Sequence, residues 1–213
     1  MAADPLSPGQ IRTRGWPVLH AGSVPRDLAP ANWTLRVHGE VEHPETIGFA
    51  GLLRLPQKDQ VCHIHCVTSW SKVGMRWSGV PFQALVERVR PTAAAGYVIL
   101  ECEQGFTTSL PLSALLDDDV LLAHSADGAP LSSEHGGPVR MLVSKRYFYK
   151  SAKWLRALRF VTGDEPGFGE VRGYSNIADP WRATRYDVDD KRRIYTMRRD
   201  ALFKPVTPTS ADL

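Results

Sequence analysis

The sequence predicts an α+β fold, mostly mixed or antiparallel β-sheet with a few short helices. Three observations carry that expectation. Short runs alternate apolar and polar residues, the period of a half-buried strand. The chain has 17 glycines and 16 prolines, which suits many tight connections. Strand and helix signals do not alternate in βαβ fashion, which argues against a doubly wound parallel sheet. With 213 residues, 43% hydrophobic and 23% charged, the composition is that of a globular domain, not of a disordered tail, a collagen-like chain or a coiled coil.

The elements follow in order. Residues 1–30, rich in Pro and Gly, predict an irregular arm laid on the fold. Trp33–Val41 alternates, with Leu35, Val37, Gly39 and Val41 on one side, and reads as a strand. Ile47–Leu55 reads as a short helix ending before Pro56, and residues 60–67 as a strand or loop. Pro81 opens a helix whose Phe82, Leu85, Val86 and Val89 fall at helical spacing, and Pro91 stops it. Tyr97–Cys102 and Phe106–Leu110 form a hairpin about Gln104-Gly105, and Pro111–Leu116 is a helical turn. Val120–His124 is a strand before the turn at Asp127-Gly128-Ala129-Pro130. Val139–Val143 and Leu155–Val161 are two more strands. The organisation expected is an arm (1–30), one domain (31–185, its last part trailing after about 164) and a basic tail (186–213).

Net charge of +3 is too small to argue for nucleic acid, and the short basic runs Lys191-Arg192-Arg193 and Arg198-Arg199 read as surface or a docking face for an acidic partner. Three cysteines make no disulfide framework and point to free thiols or a thiolate ligand in a reducing compartment. No apolar run approaches the ~20 residues of a membrane span, and no secretory or twin-arginine signal is seen, so a cytoplasmic location is the expectation.

Four constellations could carry chemistry. Cys62-His63-Ile64-His65-Cys66 invites a zinc reading, but neighbouring residues of a strand face opposite ways, and Cys62 suits a packed apolar role better. Cys66 leaves a strand into the polar turn Val67-Thr68-Ser69, with Trp70 and Trp77 beyond, where a thiolate could meet a ligand. His135-Gly136-Gly137-Pro138-Val139-Arg140 and Lys150-Ser151-Ala152-Lys153 bring glycines, two ammonium groups, a guanidinium and a hydroxyl together. That set suits a phosphate dianion or, equally, a solvated basic face. Gly167–Arg182 is a long run without periodicity, either a functional loop or a surface wrap anchored by Trp181. No Gly-x-Gly-x-x-Gly, Walker loop, His-Glu-x-x-His or nucleophile elbow is present.

Taken together, these motifs closely resemble the sulfite oxidase family of molybdopterin-dependent oxidoreductases, in particular small bacterial members built of the molybdopterin-binding domain alone. The resemblance spans roughly residues 15–185. It rests on Trp16-Pro17-Val18-Leu19-His20, Trp33–Val41, His65-Cys66-Val67-Thr68-x-Trp70-Ser71, the 135–140 and 150–154 runs, and Gly173-Tyr174-Ser175-x-x-Ala178-Asp179-Pro180-Trp181. It implies a sulfite-oxidase-type molybdopterin-binding fold and a molybdenum-molybdopterin cofactor. Cys66 is implied as the thiolate ligand of the metal. Arg140, Ser151 and Lys153 would hold the pterin and its phosphate, while His135, His20 and Cys102 would be further cofactor contacts. Tyr174 is implied as a tyrosine near the metal.

The departures from the family bear on substrate. Where sulfite oxidases carry an arginine just after the ligating cysteine, this chain has Trp70, Ser71 and Lys72, so Lys72 or Arg76 is the candidate replacement. Gly169 replaces an aromatic residue at the pocket rim and would widen it; Ser144 stands where many relatives have proline. The activity implied is two-electron oxygen-atom transfer on a sulfoxide, an N-oxide, sulfite or a similar small molecule. No haem or iron–sulfur ligand set is visible, so a separate redox partner would carry the electrons. Two rivals are a non-catalytic cofactor carrier and a zinc-stabilised domain using residues 62–66.

Overall fold

A computed structural model describes residues 5–190. Its strands are Ile11–Arg12 (β1), Thr34–Gly39 (β2), Glu45–Gly48 (β3), Lys58–His65 (β4), Trp70–Pro81 (β5), Tyr97–Cys102 (β6), Thr107–Pro111 (β7), Leu121–Ala126 (β8), Ala129–Pro130 (β9), Arg140–Leu142 (β10) and Leu155–Val161 (β11). Helices Phe49–Leu52 (α1), Phe82–Val89 (α2) and Leu112–Leu115 (α3) are short. One sheet runs β1-β5-β8-β10, with β4 on β5 and β9 on β8; the other runs β3-β2-β11-β6-β7. Pairings are antiparallel except β1 with β5 and β11 with β2. The fold is therefore α+β, with mixed sheets.

The main core lies between the sheets. Leu35 and Val37 of β2, Val98 and Leu100 of β6, and Leu158 and Phe160 of β11 meet Val80, Leu122 and Met141 from the other sheet. Helix α2 closes it with Phe82, Leu85 and Val89, the buried set expected from its spacing. It stops where Arg90 takes a left-handed conformation just before Pro91. Trp33, fully packed, donates its indole N–H to Leu155 O at 2.7 Å, tying the entry of β2 to β11. A second cluster, Ile64, Met75, Trp77, Leu121, Leu142 and Phe148, covers the far face of the first sheet, against Trp16 of the arm.

Two expectations are corrected here. Ile47–Leu55 is not one helix: Ile47 pairs with Leu35 in β3, and only Phe49–Leu52 turns helical. A β-branched side chain facing a ready strand partner outweighs weak helical spacing interrupted by Gly48 and Gly51. The twelve-residue β5 carries no strand signal in the sequence, which shows there only a polar turn with aromatic residues beyond. The β4–β5 register slips between Cys62 and Ile64, and Gly74 opposite takes φ +73°. That bulge breaks the period of two on which strand recognition depends. The bulge lets the Gly74 N–H donate to His63 Nδ1 at 3.0 Å. The basic run from Lys191 onward lies outside the described residues.

Candidate functional site

Cys66 sits at the end of β4, in a tight turn that returns the chain into β5. Its N–H donates to Trp70 O (2.8 Å), and the Ser69 N–H donates back to Cys66 O (3.1 Å). Ser69 holds φ +72° to close the turn. The arm reaches the same turn: Ile11 and Thr13 donate to Ser69 O and Ser71 O, both at 2.9 Å. Gln10 donates to Cys66 O at 3.0 Å and accepts from Ser71 Oγ at 3.0 Å, while Ser71 also meets His65 Nδ1 at 2.7 Å. From the other end of the chain, buried Arg185 donates to Val67 O at 2.5 Å. The thiol packs against Val67, Tyr147 and Ala178 with Trp70, Tyr149 and Tyr174 alongside. Burial pushes its pKa up, and the Thr68 hydroxyl at 3.1 Å, the Thr68 and Val67 backbone and Arg185 oppose that rise.

This thiol opens onto a cavity of about 340 Å³, in the range of small-molecule sites. Cys66, Thr68, Trp70, Tyr149, Phe168 and Tyr174 belong to its lining, as do Trp16, His20, Arg140, Ser151, Lys153 and Trp154. The second group is the cationic part. Arg140 is 1% exposed and donates to His135 O (2.8 Å) and Ser151 O (2.5 Å). Its Nε finds no acceptor, and it pairs with no carboxylate among the described residues. Aromatic faces surround it, with Phe148 at 4.2 Å and Trp16 and Trp77 at 5.9 Å. Burial lowers its pKa to about 9, which leaves a cation at neutral pH. Lys153, lowered to about 8 first by burial and then by Arg140, donates to Glu134 O at 2.5 Å. Two neighbouring cations, neither of them in an ion pair among the described residues and only Lys153 partly offset by Glu134, are costly unless an anion joins them. The Gly136-Gly137 pair makes this geometry: a side chain at Gly136 (φ +98°) would meet Lys153, and one at Gly137 would strike the Leu131 carbonyl.

Of the expected site residues, Cys66, Tyr174, His20, Arg140, Ser151 and Lys153 are brought together in this lining. Tyr174 stacks on Tyr149 at 5.3 Å, and the Cβ that Gly169 lacks would lie 3.2 Å from the Tyr174 ring, so its absence leaves the rim open. Three residues are placed elsewhere. His135 lies behind Trp16, stacked at 3.8 Å, and does not line the cavity. Cys102 is packed in the main core beside Arg140, its pKa pushed well up by burial. Lys72 is outside the lining and 3.9 Å from Asp127, and exposed Arg76 is likewise outside it, so neither supplies a cation near Cys66. Strand alternation explains Lys72: Ser71 turns inward to Gln10 and Lys72 the other way.

Lys150, expected in the anion set, is buried instead in a network with Ser109 O, Asn176 Oδ1 and Glu170. The zinc cluster is pulled apart, with the Cys62 thiol raised to about 12 mainly by burial and His63 and His65 bonded to separate partners. No group of three or more His, Cys, Asp or Glu poised for a metal occurs among the described residues. The 167–182 loop contributes Phe168, Gly169 and Tyr174, whereas Trp181 is 52% exposed and meets His65 edge-on. Gln10 and Arg185 went unforeseen: one is a lone amide in a Pro/Gly-rich arm, the other one cation in a basic run.

The donor set fits an anionic group with a soft metal. A thiol stands in an aromatic pocket, and an uncompensated guanidinium with an orphaned Nε lies in the same lining. A family model described as the oxidoreductase molybdopterin binding domain matches residues 21–169. The chain is 42% identical over 184 residues to the uncharacterized oxidoreductase YuiH of Bacillus subtilis, covering 86% of this chain and 93% of that protein. It is 33% identical over 174 residues to the putative protein-methionine-sulfoxide reductase subunit YedZ1 of Azospira oryzae, covering 80% and 66%. With the protein-methionine-sulfoxide reductase catalytic subunit MsrP of Burkholderia mallei it shares 31% over 206 residues, covering 85% and 60%. It thus spans about two thirds or less of both reductase chains. The sulfane dehydrogenase SoxCD of Paracoccus pantotrophus shares the fold, with a TM-score of 0.62 at 23% identity over 70% of this chain and 42% of that one. The chain therefore belongs to the molybdopterin-binding oxidoreductase family of sulfite-oxidase type, whose cofactor is molybdenum-molybdopterin, and the residues of this cavity fit that group.

Proposed function

We propose that the chain catalyses two-electron oxygen-atom transfer on a small neutral substrate, a sulfoxide or N-oxide rather than sulfite, with a separate protein carrying the electrons. One observation carries the substrate reading: the part of the cavity around Cys66 is aromatic, and among the described residues no cation lines it to receive an oxyanion, since the buried Arg185 guanidinium nearby lies outside the lining and is bonded to Val67 O. The lining cations Arg140 and Lys153 lie instead in the set with Trp16, Ser151 and Trp154. The names of two relatives, both methionine-sulfoxide reductases, point the same way.

In this reading Cys66 holds the metal through its sulfur, and Arg140, Lys153 and Ser151 hold the anionic arm of the pterin. When bound, the molybdenum centre supplies a two-electron redox couple and oxygen-atom exchange. The protein does the rest. Trp70, Tyr149 and Phe168 give an apolar wall that desolvates an alkyl group and excludes water. Tyr174 belongs to the same lining, and in this reading its hydroxyl is the group that orients a substrate oxygen. Reduction of a sulfoxide consumes two electrons and two protons and releases a thioether and water.

The test uses protein made in a host that synthesises the cofactor. Elemental analysis should find stoichiometric molybdenum in the wild type and loss of it in Cys66→Ser. A reduced viologen dye should be oxidised with a dialkyl sulfoxide, and sulfite should give no turnover with an oxidised acceptor such as ferricyanide. Full molybdenum with unchanged turnover in the serine variant would falsify the ligand assignment, and preference for sulfite would remove the neutral-substrate reading.

A further inference from the structure

We propose that Thr68 is a tuning residue for the redox centre: its hydroxyl donates a hydrogen bond to the Cys66 sulfur and raises the reduction potential of the metal that sulfur holds. The inference rests on the reading of Cys66 as the metal ligand.

The geometry is local and specific. Thr68 Oγ1 lies 3.1 Å from Cys66 Sγ, and among the described residues this is the hydroxyl's one hydrogen bond. Both residues line the cavity, Cys66 almost buried and Thr68 exposed to the opening. The turn that sets them face to face is closed by the Cys66-to-Trp70 and Ser69-to-Cys66 backbone bonds. The other side chains packed on the thiol are the aliphatic or aromatic Val67, Tyr147, Ala178, Trp70, Tyr149 and Tyr174. No other side chain among the described residues is hydrogen-bonded to this sulfur; the Thr68 and Val67 backbone groups that also act on it are kept in any Thr68 variant, so the substitution isolates the hydroxyl.

Chemistry fixes the direction of the bond. A thiol carries its own proton, and either partner could donate. A thiolate that ligates a metal carries none. The Thr68 O–H must then donate and the sulfur accept. That bond draws electron density from the sulfur, which gives less to the metal, and the electron-richer reduced metal is favoured. Hydrogen bonds to ligating sulfur are among the levers by which proteins set such potentials. The same hydroxyl orients the sulfur, but orientation alone predicts no systematic rise in potential.

Thr68→Val keeps nearly the same shape and removes the hydroxyl, and Thr68→Ser restores it. In the holoprotein, molybdenum content is measured by elemental analysis and the Mo(VI)/Mo(V) and Mo(V)/Mo(IV) midpoints by redox titration followed by electron paramagnetic resonance. The expected result is full molybdenum in both variants. The midpoints of Thr68→Val should fall by the equivalent of about tenfold in a one-electron equilibrium, about 59 mV, with Thr68→Ser at the wild-type value. Unchanged midpoints in fully loaded Thr68→Val overturn the inference and leave the ligand assignment standing. Equal shifts in both variants overturn it too, because the hydroxyl is then not the cause. A wild-type protein that takes up no molybdenum removes the reading beneath it, and the inference with it.

Discussion

Lys153 is a partly buried ammonium with a second cation beside it. Burial, then the neighbouring guanidinium of Arg140, bring its ammonium down to about 8, and Glu134 only partly offsets them. An anion beside it favours the charged form, so affinity for the cofactor should be full where the lysine is protonated and fall as pH rises through about 8. We predict that molybdenum retained after prolonged dialysis is lower at about pH 9.5 than at about pH 7 in the wild type. Lys153→Met should retain less at both pH values and lack the step between them. Equal wild-type retention at the two pH values would show that this ammonium does not hold the anionic arm.

At the scale of elements, one loop depends on one buried ion pair. Lys150 and Glu170 are 0% and 3% exposed in their side chains and bonded to each other. Around them Thr108 donates to Glu170 at 2.6 Å and Ser109 to Asp164 at 2.5 Å, while Asn176 joins Lys150 and Asp164. This network moors the segment that carries Phe168, Gly169 and Tyr174 onto β7. Breaking a buried pair from one side strands the other charge, so Glu170→Gln should cost the apoprotein about 3 kcal/mol in urea unfolding. The double variant Lys150→Met/Glu170→Leu should lose less than that single one. A single-variant loss below about 1 kcal/mol would place the pair outside the stability of the loop. None of this network was legible in the sequence. Lys150 reads there as one more cation in a basic turn, because ligand cations and structural cations look alike until the fold supplies their partners. The strands β2, β6 and β11 were legible, since their alternation or apolar runs survive in register. Strand β5 was not, since the Gly74 bulge shifts its buried positions midway. Cys66 could be singled out because a chemically distinctive residue at a strand end carries its own signal. His135 and Cys102 are placed near the site only by the family resemblance. Only the packing of Trp16 over one, and of the core over the other, shows that neither lines the cavity.

Across the whole molecule, segments more than 170 residues apart in sequence converge on the turn bearing Cys66. Gln10 holds the Cys66 carbonyl from one side, while Arg185 holds the Val67 carbonyl and reaches Pro8 O at 3.5 Å. The Arg185 guanidinium also lies 5.0 Å from the Tyr147 ring, beside the thiol. Each contact fixes an adjacent peptide of one rigid turn, so the two should not act independently. We predict that Gln10→Ala and Arg185→Ala each destabilise the apoprotein by about 1–3 kcal/mol, the first by removing one of two donors to the Cys66 carbonyl together with the acceptor of Ser71 Oγ, the second by leaving the buried Val67 carbonyl unpaired. The double variant should depart from the sum of the two by at least about 0.5 kcal/mol, as expected for neighbours sharing one structural unit. Hydrogen exchange at the Ser69 amide, which closes the turn onto Cys66 O, should quicken in each variant before the amides of β6 and β11 respond. Additive losses, with Ser69 exchanging only as the core strands do, would mean that the turn stands without its clamps and that the convergence of the two segments is packing alone.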